Sequence, residues 1–410
     1  MKRLRNRGMT RTATGCAVVF VAICASCGDA PSDQGPSVRD SAGIRIVENV
    51  NPQWEVGQSW SLADTPSMRI GGTGEPDSEL WRVTGGLRLS DGRVLIANNG
   101  TKQLRFYDHE GSLLHTTGRE GEGPGEFVFL FRIWQLPGDS VIAYDPNLRR
   151  ISLYDGSGSL VGIFRAPYAF VSYHHAFSDG TMLGTLDLII GPGPASGVRR
   201  DSMAYALYGR NGELRDTIGW FRADEYYLYS TVHEYGALEP PFRRQAAHAV
   251  HGSDLYTGYG DRYEIRRWSP PGRLQSILRR TVSPVEIRDG IDLWAEVDSL
   301  EIPTWLRNEA AGFDLPTTMP AFSAFMVDER GNLWVRRPAW PNPVPDSWDV
   351  FNPDGWFLGT IDMPERFEPQ QIGETWVIGT WKDELDVEQV RLYKLIKPRG
   401  HDARNARADR

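Results

Sequence analysis

Five times in this chain an aromatic residue ends a β-prone run and stands four positions before a turn glycine: Tyr107, Tyr154, Tyr208, Trp268 and Phe351, ahead of Gly111, Gly158, Gly212, Gly272 and Gly355. Tyr393 takes the same place in a last, glycine-free unit. The units around these aromatics share one layout. Asp91–Gly111, "DGRVLIANNGTKQLRFYDHEG", and Gly138–Gly158, "GDSVIAYDPNLRRISLYDGSG", each show a turn pair, a short β-prone run, a polar break, a second run ending in the aromatic, and a turn glycine. That is a chain of hairpins. An aromatic fixed on one strand of every unit is an inter-sheet core residue.

Six such units of about 40–45 residues, each of four short strands, predict an all-β, six-bladed β-propeller. The raised glycine and proline (43 and 27) suit many turns, and 14 Trp, 15 Tyr and 16 Phe favour strands. The last unit runs out of chain with three strands written. Residues 65–71 precede 112–118 by 47 positions, so the N-terminal segment is expected to supply the missing strand and close the ring. The same offset aligns "GGTGEPDSEL", Gly71–Leu80, with "GREGEGPGEF", Gly118–Phe127, without gaps. Glycine-rich, acidic loops bind phosphates or calcium elsewhere, but no Lys-Ser/Thr follows here, as a phosphate loop requires. The pair is read as blade-to-blade crossovers, with Glu75, Glu79, Glu122 and Glu126 as candidate binding residues.

The N-terminus reads as a targeting segment. Lys2, Arg3, Arg5, Arg7 and Arg11 precede the apolar run Cys16–Ile23, which is too short to span a bilayer. "CASC", Cys24–Cys27, resembles a bacterial lipobox in which Cys27 is lipidated, although Cys24 stands where that motif carries Leu. The expected division is a signal peptide over 1–26, a flexible linker over 27–42, the propeller over 43–398 and a disordered tail over 399–410. All three cysteines fall in the leader, so the body has no disulfide and no thiol nucleophile. Removing residues 1–26 takes away five of 45 basic and none of 53 acidic residues, leaving 40 − 53 = −13. Such a body, with no basic run, excludes nucleic acid as a partner. No other window carries the apolar run of a membrane helix, so the lipid is the only expected membrane contact, on the periplasmic side of a bacterial envelope.

One stretch carries a family resemblance. In "YDPNLRRISLYDGSG", Asp145, Asn147, Arg150, Ile151, Tyr154, Asp155 and Gly158 match the NHL-type repeat. With the crossover Gly121–Phe127 and the late segment Asp383–Leu395, the chain from Gly43 onward resembles bacterial six-bladed β-propeller lipoproteins. The resemblance implies the fold and says little of activity, because that group is mostly without assigned chemistry.

Antiparallel blades place their two hairpin turns on one face and their middle loops and crossovers on the other. The turns are short throughout, whereas the long segments (187–201, 221–242, 284–320 and 336–347) all belong to the crossover face, which is therefore the expected working face. Within 284–320 two runs with helical spacing predict a small helical cap between blades 4 and 5. Tyr226, Tyr227, His233, Arg243, Arg244, Trp340 and Trp348 are candidate binding residues there, for an envelope protein, peptide or glycan partner of a monomer. His174, His175 and His248 fall on predicted inner strands and are the candidate metal ligands. The first reading of function is a non-catalytic binding module without a cofactor. The alternative is a lactonase-like hydrolase or lyase holding calcium at the channel, although no Glu, Asn and Asp ligand set for it is legible.

Overall fold

The computed structural model describes residues 35–72, 74, 79–166, 171–186, 197–230, 235–239, 242–269, 272–287, 316–338 and 346–398. They form an all-β body of six sheets built on four-stranded antiparallel meanders, consistent with a propeller. Sheet 1 runs Val83–Arg88, Val94–Asn98, Gln103–Tyr107, Leu113–Thr117, and sheet 2 runs Arg132–Gln135, Val141–Asp145, Arg150–Tyr154, Leu160–Arg165. Sheet 3 comprises Val171–Ala176, Met182–Leu186, Gly197–Tyr208, Leu214–Ser230 and Tyr235–Leu238. Sheet 4 is built on Ala246–His251, Asp254–Tyr259, Glu264–Ser269 and Arg273–Arg280. Sheet 5 is Ala324–Val327, Leu333–Arg336, Ser347–Phe351 and Phe357–Asp362, and sheet 6 starts with Phe367–Ile372, Trp376–Lys382 and Glu388–Ile396. No α-helix occurs among these residues, and none is long and apolar enough to cross a membrane. The leader, Cys27 and most of the segment expected as a helical cap (288–315) lie outside the described residues.

The repeated aromatic does what its spacing predicts. Tyr154 packs into the core between sheets 1 and 2, Tyr208 between 2 and 3, Trp268 against the core between 3 and 4, Phe351 between 4 and 5, and Tyr393 between 5 and 6. Tyr107 joins Ile378 and Leu392 between sheets 6 and 1. Each aromatic thus faces the preceding sheet, and the last interface returns to the first. The tight turns are held by side chains at their first position. Asp108 Oδ1 accepts the amides of Glu110 and Ser112 at 2.9 and 2.8 Å, and Asp155 Oδ1 those of Ser157 and Ser159 at 2.9 and 3.0 Å.

The N-terminal segment wraps the outer edges of sheets 4, 5 and 6. Met68–Ile70 pairs antiparallel with Val390–Leu392, as expected from the repeat offset, and Ser61–Leu62 pairs with Leu395–Ile396. The rest of this belt is not visible in the repeat. Ile44–Asn49 adds in parallel to Arg273–Arg280 and is itself paired with Ser37–Ser41, inside the stretch read as a linker. The Gln53 and Trp54 amides then donate to the Phe357 and Leu358 carbonyls at 2.9 and 2.8 Å. Asn49 is buried and ties sheet 4 to sheet 5: Nδ2 donates to the Gly355 and Arg279 carbonyls at 2.9 and 3.2 Å, and Oδ1 accepts the Phe357 amide at 2.9 Å. The Trp54 and Trp60 rings lie tilted, 5.3 Å apart, and share one core cluster with Trp334 and Trp348. Burying one such ring removes an area worth about 4–6 kcal/mol before conformational entropy is subtracted.

Sheet 3 departs from expectation. Residues 221–230, read as part of a crossover loop, continue the strand Leu214–Ser230, which pairs from Leu214 to Leu228 with Gly197–Tyr208. The two strands form a long ribbon, and Tyr235–Leu238 adds to its end. The ribbon's pairing shifts register at three points, which lets so long a hairpin twist away from the regular sheet.

A chain starting at Gly71 lacks the strand that pairs with Val390–Leu392 and both belt tryptophans. We expect its urea unfolding to lose cooperativity and its midpoint to fall well below that of the chain starting at Gly28. Coincident midpoints would show that the belt contributes nothing to closure.

Candidate functional site

The twin crossovers resolve first. Gly118 has φ +90°, and a Cβ there would lie 2.9 Å from the Phe127 ring and from the Lys102 carbonyl. Gly71 has φ +92°, with Leu80 Cδ1 at 2.9 Å from the same hypothetical atom. Both loops therefore turn on a left-handed glycine that the anchoring Leu80 or Phe127 packs against. Third-strand arginines clamp the loop carbonyls: Arg105 donates to the Glu79 carbonyl at 3.0 Å, and Arg150 to those of Glu122 and Gly123 at 2.8 and 2.9 Å. The Glu126 carboxylate accepts the Gly123 amide at 2.7 Å and pairs with Arg119 at 2.6 Å. The amide bond and then Arg119 hold its carboxyl below the usual range. Glu126 is thus a brace for its own loop. Glu79 and Glu122 are exposed, and Glu75 lies outside the described residues.

The three histidines do converge. A bulge in the inner strand of sheet 3 leaves His174 out of register between Tyr173 and His175. Successive side chains in a regular strand face opposite ways, and the bulge brings both histidines toward His248 of sheet 4. Ring centroids are 4.5 Å apart for His174 and His248, and 5.1 Å for His175 and His248. Each imidazole is engaged locally: His174 Nε2 with Thr185 Oγ1 at 2.6 Å, and His175 Nε2 with the His248 carbonyl at 3.2 Å. Arg132 and Trp134 of sheet 2 donate to the His174 carbonyl at 3.2 and 3.1 Å. The cluster therefore stitches the inner strands of sheets 2, 3 and 4. Among the described residues no three or more His, Cys, Asp or Glu are grouped as metal ligands.

The ribbon candidates divide. Tyr226 is half-buried beneath the Arg243 guanidinium, 5.4 Å from its ring centre. Arg243 pairs with Glu239 at 2.9 Å and Asp224 at 3.5 Å. Arg244 donates to the Thr318 carbonyl and hydroxyl at 3.0 Å, fastening the ribbon to the following crossover. Tyr227 and Trp348, expected as exposed contacts, are buried. Trp348 sits in the core between sheets 5 and 6 with Nε1 on Asp346 at 3.1 Å, because it lies on a regular strand rather than in the loop before it. His233 and Trp340 lie outside the described residues.

A site that the sequence reading did not single out lies where sheets 4 and 5 meet the belt. Asp349 is fully buried and accepts four donors. Oδ1 takes Arg337 Nε and the Thr360 hydroxyl, both at 2.8 Å, and Oδ2 takes the Tyr263 hydroxyl at 2.9 Å and Arg280 Nη1. Burial, and then the Asp349 charge, push the Tyr263 phenol well above its ordinary pKa, so it stays protonated as a donor. The Arg280 guanidinium also lies 3.8 Å from the Phe357 ring centre. On one side of this cluster a cleft of about 1010 Å³ opens on the crossover face, between Asp261–Glu264, Arg279–Val285, Thr318–Ala321 and Arg337–Pro338. A second, open cavity of about 310 Å³ is lined by Pro52, Trp54 and Ser59 of the belt together with the same two arginines. Strands far apart in sequence supply these groups, and no short stretch of the sequence marks them.

No protein-family model matches the sequence, and no curated protein resembles it significantly. Solved structures do. A DUF4221-family member from Bacteroides vulgatus aligns over 83% of this chain and 99% of its own at 10% identity, with a TM-score of 0.50. A protein from Bacteroides fragilis described as exported aligns over 86% and 100% at 12% identity, with a TM-score of 0.49. A gluconolactonase from Xanthomonas campestris aligns over 82% and 98% at 13% identity, with a TM-score of 0.39. These neighbours are β-propeller-like, and the likeness is one of fold.

Burial, followed by the Arg132 charge, lowers the His248 pKa to about 4; burial, then His248 and Arg132, lower those of His174 and His175 well below the ordinary value. The unfolded chain binds protons at these sites from about pH 6.5 downward, so their contribution to stability is full above that pH and is lost as pH falls toward and through the folded values. Proton NMR should find the His248 ring neutral at pH 5.5. A titration centred near 6.5 would show that the cluster is open to water.

Proposed function

We propose that the protein is a six-bladed β-propeller of the bacterial cell envelope that acts as a non-catalytic binding module through its crossover face. The observation that carries this reading is the cleft of about 1010 Å³ between sheets 4 and 5 on that face. Its volume is at the upper end of what small-ligand sites use, and its rim mixes guanidinium, carboxylate and apolar groups, as recognition surfaces do. The opposite face supports the same choice, since its turns are short and closed by their own Asp side chains. The candidate acids and bases are engaged in holding structure: Glu126 braces a loop, the histidines tie inner strands, and Asp349 is saturated. The class of partner is an envelope protein, a peptide or a glycan. A basic leader followed by an apolar run, and Cys27 in a lipobox-like setting, support export and a lipid anchor on the periplasmic side.

Val285 lines the cleft and is 58% exposed, whereas Leu113 is exposed on the outer strand of sheet 1. Quantitative pull-down from envelope extract with the chain from Gly28 should lose its specific captures with Val285→Glu and keep them with Leu113→Glu. Equal capture by both variants would remove the cleft from the binding reading.

A further inference from the structure

Resting on that reading, we infer that the belt-side cavity is a subsite for an organic carboxylate carrying a compact apolar body. Arg280 and Arg337 share a single carboxylate, Asp349, whose two oxygens are already saturated by four donors. Neither guanidinium has another acidic partner among the described residues. One positive charge is therefore left over between Arg280, whose side chain is 11% exposed, and Arg337, whose side chain is 41% exposed. Both arginines line the cavity of about 310 Å³, and among the described residues no Asp or Glu lines it with them.

The donors agree with the charge. A guanidinium carries five N–H donors, and among the described residues Arg280 gives Nη1 to Asp349 while Arg337 gives Nε to Asp349 and Nη2 to the Thr360 hydroxyl. A carboxylate matches the planar fork of a guanidinium and offsets the surplus charge. Trp54, Phe357 and Pro52 provide apolar and aromatic wall beside the arginines. A bare inorganic oxyanion leaves that wall unused, and a neutral molecule leaves the charge uncompensated. The belt supplies Pro52, Trp54 and Ser59, so the segment that covers the edges of sheets 4 to 6 also makes one side of the subsite.

Calorimetric titration of the chain from Gly28 with benzoate, with its neutral isostere benzamide, and with inorganic phosphate tests this directly. Benzoate should bind about tenfold or more tighter than benzamide, and also tighter than phosphate. Arg337→Met should weaken benzoate by about tenfold while leaving benzamide unchanged, and Arg337→Lys should fall between. Equal binding of benzoate and benzamide, tighter binding of phosphate, or no binding of benzoate each overturns the inference. The comparison on the unaltered chain stands even where the Arg337 variants fold poorly. Capture that depends on Val285 together with silent benzoate sinks the carboxylate subsite alone, and the reverse pattern sinks only the partner-binding reading.

Discussion

Each sheet presents the aromatic at the end of its third strand to the sheet before it, and every other feature of the molecule depends on that contact closing round. Tyr107 can be buried only if a sheet stands where the chain has not yet made one, and the last sheet of the chain fills that place. The outer edge of that last sheet is finished by Met68–Ile70, which enters from the opposite end of the chain. Closure of this kind links the N- and C-terminal thirds through pairs more than 300 residues apart, so stability becomes a property of the whole circuit.

The belt has a second consequence. By crossing the outer edges of sheets 4, 5 and 6 it protects strand edges that would otherwise recruit other chains. It also brings Asn49, Trp54 and Trp60 to the place where sheets 4 and 5 meet. The buried Asp349 lies at that junction with two arginines and a phenol. A saturated carboxylate of this kind is weak evidence for net stability, since desolvating three charges costs much of what their attraction returns. Its value lies in fixing two guanidinium groups rigidly where they line both a cavity and the large cleft.

The fold was legible because its signals are local and repeated. The aromatic-to-glycine spacing, the turn pairs and the 47-residue offset of the twin crossovers each need only a short window. The ribbon of sheet 3 was not legible, since Leu214–Ser230 mixes charged and aromatic residues with no alternation to mark it as one strand. Ile44–Asn49 is β-prone, but its parallel partner lies some 230 residues away and outside the repeat. The candidate site was legible only in part. His174, His175 and His248 were placed together because they share equivalent inner strands, while Arg280, Arg337 and Asp349 meet through the ring itself. Trp348 reads as a surface residue from the proline-rich loop that precedes it, yet its strand register turns it into the core.

One N-terminal segment both closes the circuit of sheets and builds the sheet 4–5 junction. Hydrogen exchange on the chain from Gly28 addresses it amide by amide. The Gln53, Trp54, Ala63 and Ser67 amides donate to carbonyls of sheets 5 and 6 and should be protected as strongly as the strands Phe357–Asp362 and Glu388–Ile396 that receive them. Exchange of these four at the rate of free chain, with the receiving strands still protected, would contradict the account.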